Sequence, residues 1–248
     1  MSIVWAGGVA LAYATTVIGL HRLNVRRMRA QANGFPTLQR LDWQSLLAGL
    51  LPAAPVGSGP ALGADDGLPA LLRAAPAPGA EARHTLLAAI VSGASVDPVR
   101  FEAAGFSGGE SQWLTTLALA QSKPHDALDR LFAARAGTSA EVYLREHLFL
   151  RFRVNPVNLE LAVFATKRRL AFALGRFADA PTLFFARAQA SARLGFNQAV
   201  LDDLARAVYF SRRDPFYLRV VTELPWVGEA RPALYQQCVA LLKPQALV

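Results

Sequence analysis

The chain has 248 residues and a formal charge of +8, and its bases are nearly all arginine, with lysine only at Lys123, Lys167 and Lys243. Its one cysteine, Cys238, excludes an internal disulfide and any cluster of cysteine metal ligands. The length leaves room for one medium domain beside a terminal segment and a linker.

Met1 to Leu20 contain no charged side chain, whereas His21 to Arg29 carry Arg22, Arg26, Arg27 and Arg29. As a helix rising about 1.5 Å per residue, an apolar run of this length spans the roughly 30 Å hydrocarbon layer of a bilayer. Ile3, Val4, Trp5, Val9, Leu11, Val17, Ile18 and Leu20 supply the apolar surface. Residues 1–29 are therefore predicted to be a transmembrane anchor with a basic flank. A cleaved secretory signal competes, because Ala12-Tyr13-Ala14 has the small residues of a cleavage site. Signal peptides, however, place their bases before the apolar core, and here the bases follow it. Positive side chains beside a span stay on the cytoplasmic side. The pattern predicts a single-pass protein of the inner (cytoplasmic) membrane with its C-terminal domain in the cytoplasm. The flanking arginines also contact the lipid bilayer, each adding about 1 kcal/mol of attraction to anionic headgroups.

Residues 30–51 follow as a juxtamembrane element. From Thr37 to Leu51, Leu38, Leu41, Leu46, Leu47, Leu50 and Leu51 alternate with Gln39, Arg40, Asp42 and Gln44, between Pro36 and Pro52. This predicts a short amphipathic helix, lying at the membrane interface or docked on the folded domain or a partner. Residues 52–83 are rich in proline, glycine and alanine and predict a linker, because such a stretch buries too little to offset the entropy of ordering it. Leu68, Leu71 and Leu72 are the candidates for a small docking element within it.

Residues 84–248 predict an all-α domain. From His84 to the C-terminus no run of β-branched residues alternates with period two, and no Asn-Gly or Asp-Gly hairpin turn occurs. Asp97-Pro98, Asn155-Pro156 and Asp214-Pro215 each set a capping side chain before a first-turn proline. Thr138 with Glu141 makes a capping box, and Gly137, Gly175 and Gly195 mark helix ends.

Within this domain, Gly175-Arg176-Phe177-Ala178-Asp179-Ala180 resembles the turn of a tetratricopeptide (TPR) repeat, with Phe164 and Phe184 at large-residue positions. A second register from Pro181 places Phe184, Ala188, Gly195, Leu204 and Ala207 on the same pattern. The two registers conflict, since both use the Pro181–Leu194 helix. The resemblance covers roughly Gly109 to Leu242. It implies a helical solenoid whose concave face binds a protein segment; an irregular helical bundle with the same core is the alternative.

Chemistry-bearing residues are sparse. His21, His84, His125 and His147 lack any spacing that converges on a metal, and Glu146-His147 reads as an adjacent pair pointing different ways. Asp65-Asp66 and Asp202-Asp203 read as exposed acids. Gly105-Phe106-Ser107-Gly108-Gly109 lacks the spacing of a nucleophile elbow, and no phosphate-binding loop or dinucleotide fingerprint is present. No catalytic residue, metal, cofactor or small-molecule substrate is expected.

Charge is uneven. Thirteen Lys and Arg face seven acids between Thr138 and Arg219, a net of +6. Lys167, Arg168, Arg169, Arg176, Arg187, Arg212 and Arg213 are the partner-binding candidates. Solvated helix faces, an acidic protein partner or anionic headgroups, and nucleic acid compete to explain them. Nucleic acid ranks last, because stacking aromatics do not accompany the cluster convincingly. Phe149, Phe152, Phe164, Phe172, Phe184, Phe185, Tyr209, Phe210, Phe216 and Tyr217 fit a core, and one member of Phe184-Phe185 and of Tyr209-Phe210 is expected to face outward. The expected function is a membrane-anchored helical scaffold binding other protein subunits of a membrane complex. Anionic lipid or nucleic-acid binding through the C-terminal arginines is the alternative.

Overall fold

Helices supply every regular element among the described residues, as the prolines and capping side chains require. The computed structural model describes residues 13, 15–20, 36–51, 69–73, 75–155 and 157–242. No described helix is long and apolar enough to cross a membrane. Val17, Ile18 and Leu20 are helical and exposed. Ile3, Val4, Trp5, Val9, Leu11, Arg22, Arg26, Arg27, Arg29 and most of the linker lie outside the described residues.

The helix expected over Thr37–Leu51 does not form. A 3-10 turn, Pro36–Gln39, is followed by the single turn α1 (Trp43–Leu46). Asp42 breaks the run: its Oδ1 accepts from Ser45 N at 3.0 Å as an N-cap, while its own N–H donates to Tyr143 Oη at 3.0 Å. Backbone groups that a helix would pair internally are paired with the domain instead. The leucines nonetheless do what their pattern requires, since Leu38, Leu46, Leu47 and Leu50 are buried in the domain core. In the linker, α2 (Ala70–Arg73) buries Leu72, whose carbonyl lies 3.0 Å from His84 Nε2.

The remaining helices are α3 (Glu81–Val91), α4 (Val99–Ala103), α5 (Gly108–Ser122), α6 (Pro124–Ala133), α7 (Ser139–Phe152), α8 (Leu159–Leu174), α9 (Pro181–Arg193), α10 (Asn197–Phe210), α11 (Pro215–Thr222), α12 (Pro225–Ala230) and α13 (Pro232–Leu242). Their starts follow the capping signals closely. Glu141 N donates to Thr138 Oγ1 at 3.2 Å and Thr138 N to Glu141 Oε2 at 3.0 Å, closing the expected box on α7. Asp214 Oδ1 caps α11 by accepting from Phe216 N at 2.8 Å. Asn155 instead builds a turn, accepting from Val157 N and Asn158 N, so α8 starts only at Leu159. Ser107, the centre of the glycine-rich Gly105–Gly109 stretch, proves to be the N-cap of α5 in a second box with Glu110.

Successive helices from α5 to α10 pack on one another, and α9 also reaches past α8 to pack on α7. This makes α9 the axis of the domain. From Thr182 to Ala192 every residue except Arg187 is buried. Phe184 and Phe185 are therefore both inside, contrary to the expectation for adjacent rings. Phe184 stacks on Phe210 of α10 at 5.3 Å, while Phe185 meets Phe216 and Tyr217 of α11 edge-on. A helix flanked on both sides has no solvent face for either ring. The unpacked aromatics lie elsewhere: Phe172 is 79% exposed, Tyr209 is 77% exposed, and Phe164 is exposed as well.

Candidate functional site

The structure divides the seven basic candidates into distinct roles. Arg169 donates through Nε and Nη2 to both oxygens of Glu146 at 2.6–3.0 Å, and Arg187 donates to both oxygens of Asp203 at 2.6 and 2.9 Å. Glu146 and Asp203 are both buried, which corrects the reading of Asp203 as an exposed acid. Their burial requires a paired base, and the fork of a guanidinium supplies it in the best geometry. Lys167 places its ammonium 5.2 Å from the Phe196 ring. Arg212 and Arg213 form the turn after α10 at φ 52° and 69°, a left-handed conformation rare for residues with a Cβ.

Arg168, Arg169 and Arg176 do come together, joined by Arg135 and Arg145, in a recess of about 470 Å³. One lip is the α6–α7 loop, Ala134 to Ala136, with Val142 and Arg145 of α7 beside it. The other is α8 and its following turn: Arg168 and Phe172, four residues apart, share one face of α8, and Arg176 follows in the turn after Gly175. Arg176 Nη1 bridges the lips by donating to Ala136 O at 3.4 Å. Alongside the five arginines, Phe172, Phe177, Val142 and three alanines make the walls apolar. Among the described residues no carboxylate lines the recess.

Glu146, behind the arginines, is shared by Arg145 Nε at 3.0 Å and Arg169. Arg135, Arg168 and Arg176 have no carboxylate partner among the described residues, leaving an excess of positive charge in a concave site. Low-dielectric walls focus such a field outward and favour an anionic occupant. Sequence reasoning found three of these five residues. It missed Arg135 and Arg145 because they belong to a different helix pair; only the fold brings them across from α8.

A second polar cluster is buried and ties residues 36–51 down. Tyr217 Oη donates to Asp42 Oδ2, and Gln189 Nε2 donates to Leu38 O at 2.6 Å. With its amide nitrogen so engaged, Gln189 presents Oε1 to His147 Nδ1 at 3.3 Å, which sets the proton of His147 on Nδ1. Burial pushes the imidazole down to about 4, so it is neutral at physiological pH. Burial also raises Asp42 above the usual carboxylate range and Asp214 to about 6. Trp113 Nε1 adds a bond to Leu46 O at 2.9 Å. Asp42, Tyr217 and Gln189 thus pair with one another's neighbours and the backbone as an internal staple, whereas buried His147 Nε2 has no hydrogen-bond partner among the described residues and borders a small cavity of about 30 Å³ lined by Leu38, Leu150, Gln189 and Arg193. Among the described residues no three His, Cys, Asp or Glu side chains group to hold a metal ion. No family model matches this chain, no curated protein matches it, and no solved structure matches it.

Proposed function

We propose that this chain is a membrane-anchored helical scaffold that binds other proteins as an accessory or assembly subunit of a membrane complex. The observation that carries the reading is the open, arginine- and phenylalanine-lined recess between α7 and α8, a surface suited to recognition. The stacking of successive helices, with α9 reaching back to α7, supports a TPR-like arrangement of hairpins. The charge-free Met1–Leu20 run followed by four arginines supports an inner-membrane anchor with the helical domain in the cytoplasm.

The decisive experiment is purification of the full chain in mild detergent, followed by identification of co-eluting proteins. A stoichiometric set of membrane-complex subunits is the expected result, and reproducible elution as a solitary monomer overturns the reading. A reporter fused after Val248 should be active only on the cytoplasmic face; activity outside reverses the topology.

A further inference from the structure

Resting on the scaffold reading, we infer that the recess between α7 and α8 holds an acidic segment of a partner protein, with carboxylates on Arg135, Arg168 and Arg176 and an aromatic or aliphatic side chain against Phe172 and Phe177.

Three features select this occupant. The first is charge. Five arginines line the recess, and Glu146, the carboxylate that Arg145 and Arg169 hold among the described residues, is buried behind them. The three remaining cations are unpaired by carboxylate among the described residues, and each guanidinium presents a planar fork that fits a carboxylate. The second is the wall. Phe172 is left largely in solvent although it borders the recess, and Phe177, Val142, Ala134, Ala136 and Ala173 extend an apolar lining beneath the charges. An inorganic anion gains nothing from such walls, whereas a peptide carrying an apolar side chain among acids uses both. The third is shape. A volume of about 470 Å³ falls within the range of binding pockets, about 300–1,000 Å³, and suits inserted side chains better than the flat plane of a bilayer.

The arrangement also separates binding residues from structural ones. Arg145 and Arg169 keep Glu146 neutralised, so their removal disturbs folding. Arg135, Arg168 and Arg176 are exposed and can be altered without stranding a buried acid.

The test uses the full chain in mild detergent and a fluorescent peptide in which glutamates flank a phenylalanine. Fluorescence anisotropy is read for the wild type, for the R135Q/R168Q/R176Q variant, and for R100Q/R212Q/R213Q, which loses the same charge outside the recess. The recess variant should weaken binding by about tenfold, because three exposed charge pairs are lost together. The outside variant should stay within about twofold. F172S should weaken binding with its charges intact, and the glutamine version of the peptide should fail to bind.

Equal losses in the two triple variants, or no binding by the wild type, overturn the inference. So does arginine-dependent binding of phosphatidylglycerol vesicles that the peptide does not compete away, which would assign the recess to lipid. The two readings separate in the co-elution experiment. If the same proteins accompany the wild type and the recess variant, the scaffold stands and this site falls. A solitary wild-type chain overturns the scaffold reading, and the partner assigned here with it.

Discussion

Replacing Arg169 by methionine keeps most of the side-chain stem and removes the guanidinium that meets both oxygens of Glu146. Glu146 is fully buried and Arg169 is 31% exposed, so the pair lies where stranding the acid is expensive. Breaking a buried pair by removing one partner costs about 3–5 kcal/mol. Here Arg145 Nε remains on Glu146 at 3.0 Å, which places the expected loss at the low end, about 3 kcal/mol. For a domain of this size that loss lowers Tm by about 6–12 °C. E146Q should cost less, about 1–2 kcal/mol, because Arg169 can turn toward solvent once the acid is gone. The combined variant should cost less than the sum, with a coupling energy of about 1–2 kcal/mol. Urea unfolding of all four proteins, with midpoints and slopes fitted together, supplies the cycle. If R169M lies within about 0.5 kcal/mol of the wild type, the scatter of ordinary surface changes, Glu146 is not held as described.

The other expectations are independent of that pair. Asp214 has a folded pKa of about 6 against an ordinary 3.8, so between roughly pH 4 and 6 only the folded chain keeps the proton. Its contribution to stability is therefore complete below the lower value and is lost as pH rises through the upper one. At higher pH the ionised group carries a penalty of about 3 kcal/mol. D214N keeps an oxygen to cap Phe216 N and should be more stable than the wild type near neutrality, with a flatter pH profile below it; an unchanged slope would refute the assignment. Truncation of fully buried Leu47 to alanine should cost about 2–5 kcal/mol and expose residues 36–51 to protease before the rest of the domain unfolds. R213G should stabilise the turn after α10 by about 1 kcal/mol, since glycine adopts the left-handed conformation without the clash of a Cβ; a loss measured by thermal melting would show that the arginine side chain is needed there.

Helix class and several helix starts were legible because their causes are local. Thr138 and Glu141, or Asp214 ahead of Pro215, satisfy orphan backbone donors within a few residues, whatever packs above them. The second capping box at Ser107 was equally local, and the signal was present in Ser107 followed by Glu110. The surrounding glycines obscure it, since they give the stretch the look of a catalytic turn. Asn155 misled because an Asx turn and a helix cap share the same side-chain bond. The arginine excess of the second half was visible as a number, whereas its division into roles was not.

From residue order alone came the all-helical class, the arginine-rich balance, the leucines that bury in residues 36–51 and the caps that set the helix starts, each the consequence of neighbours along the chain. Tertiary packing decided everything that needs partners far apart in sequence. It buried Glu146 and Asp203 opposite Arg169 and Arg187, drew both Phe184 and Phe185 inside by flanking α9 on two sides, and carried Arg135 and Arg145 across to Arg168 and Arg176. It also broke the Thr37–Leu51 helix, because Tyr143 and Gln189, about a hundred residues away or more, offered its backbone better partners than its own next turn.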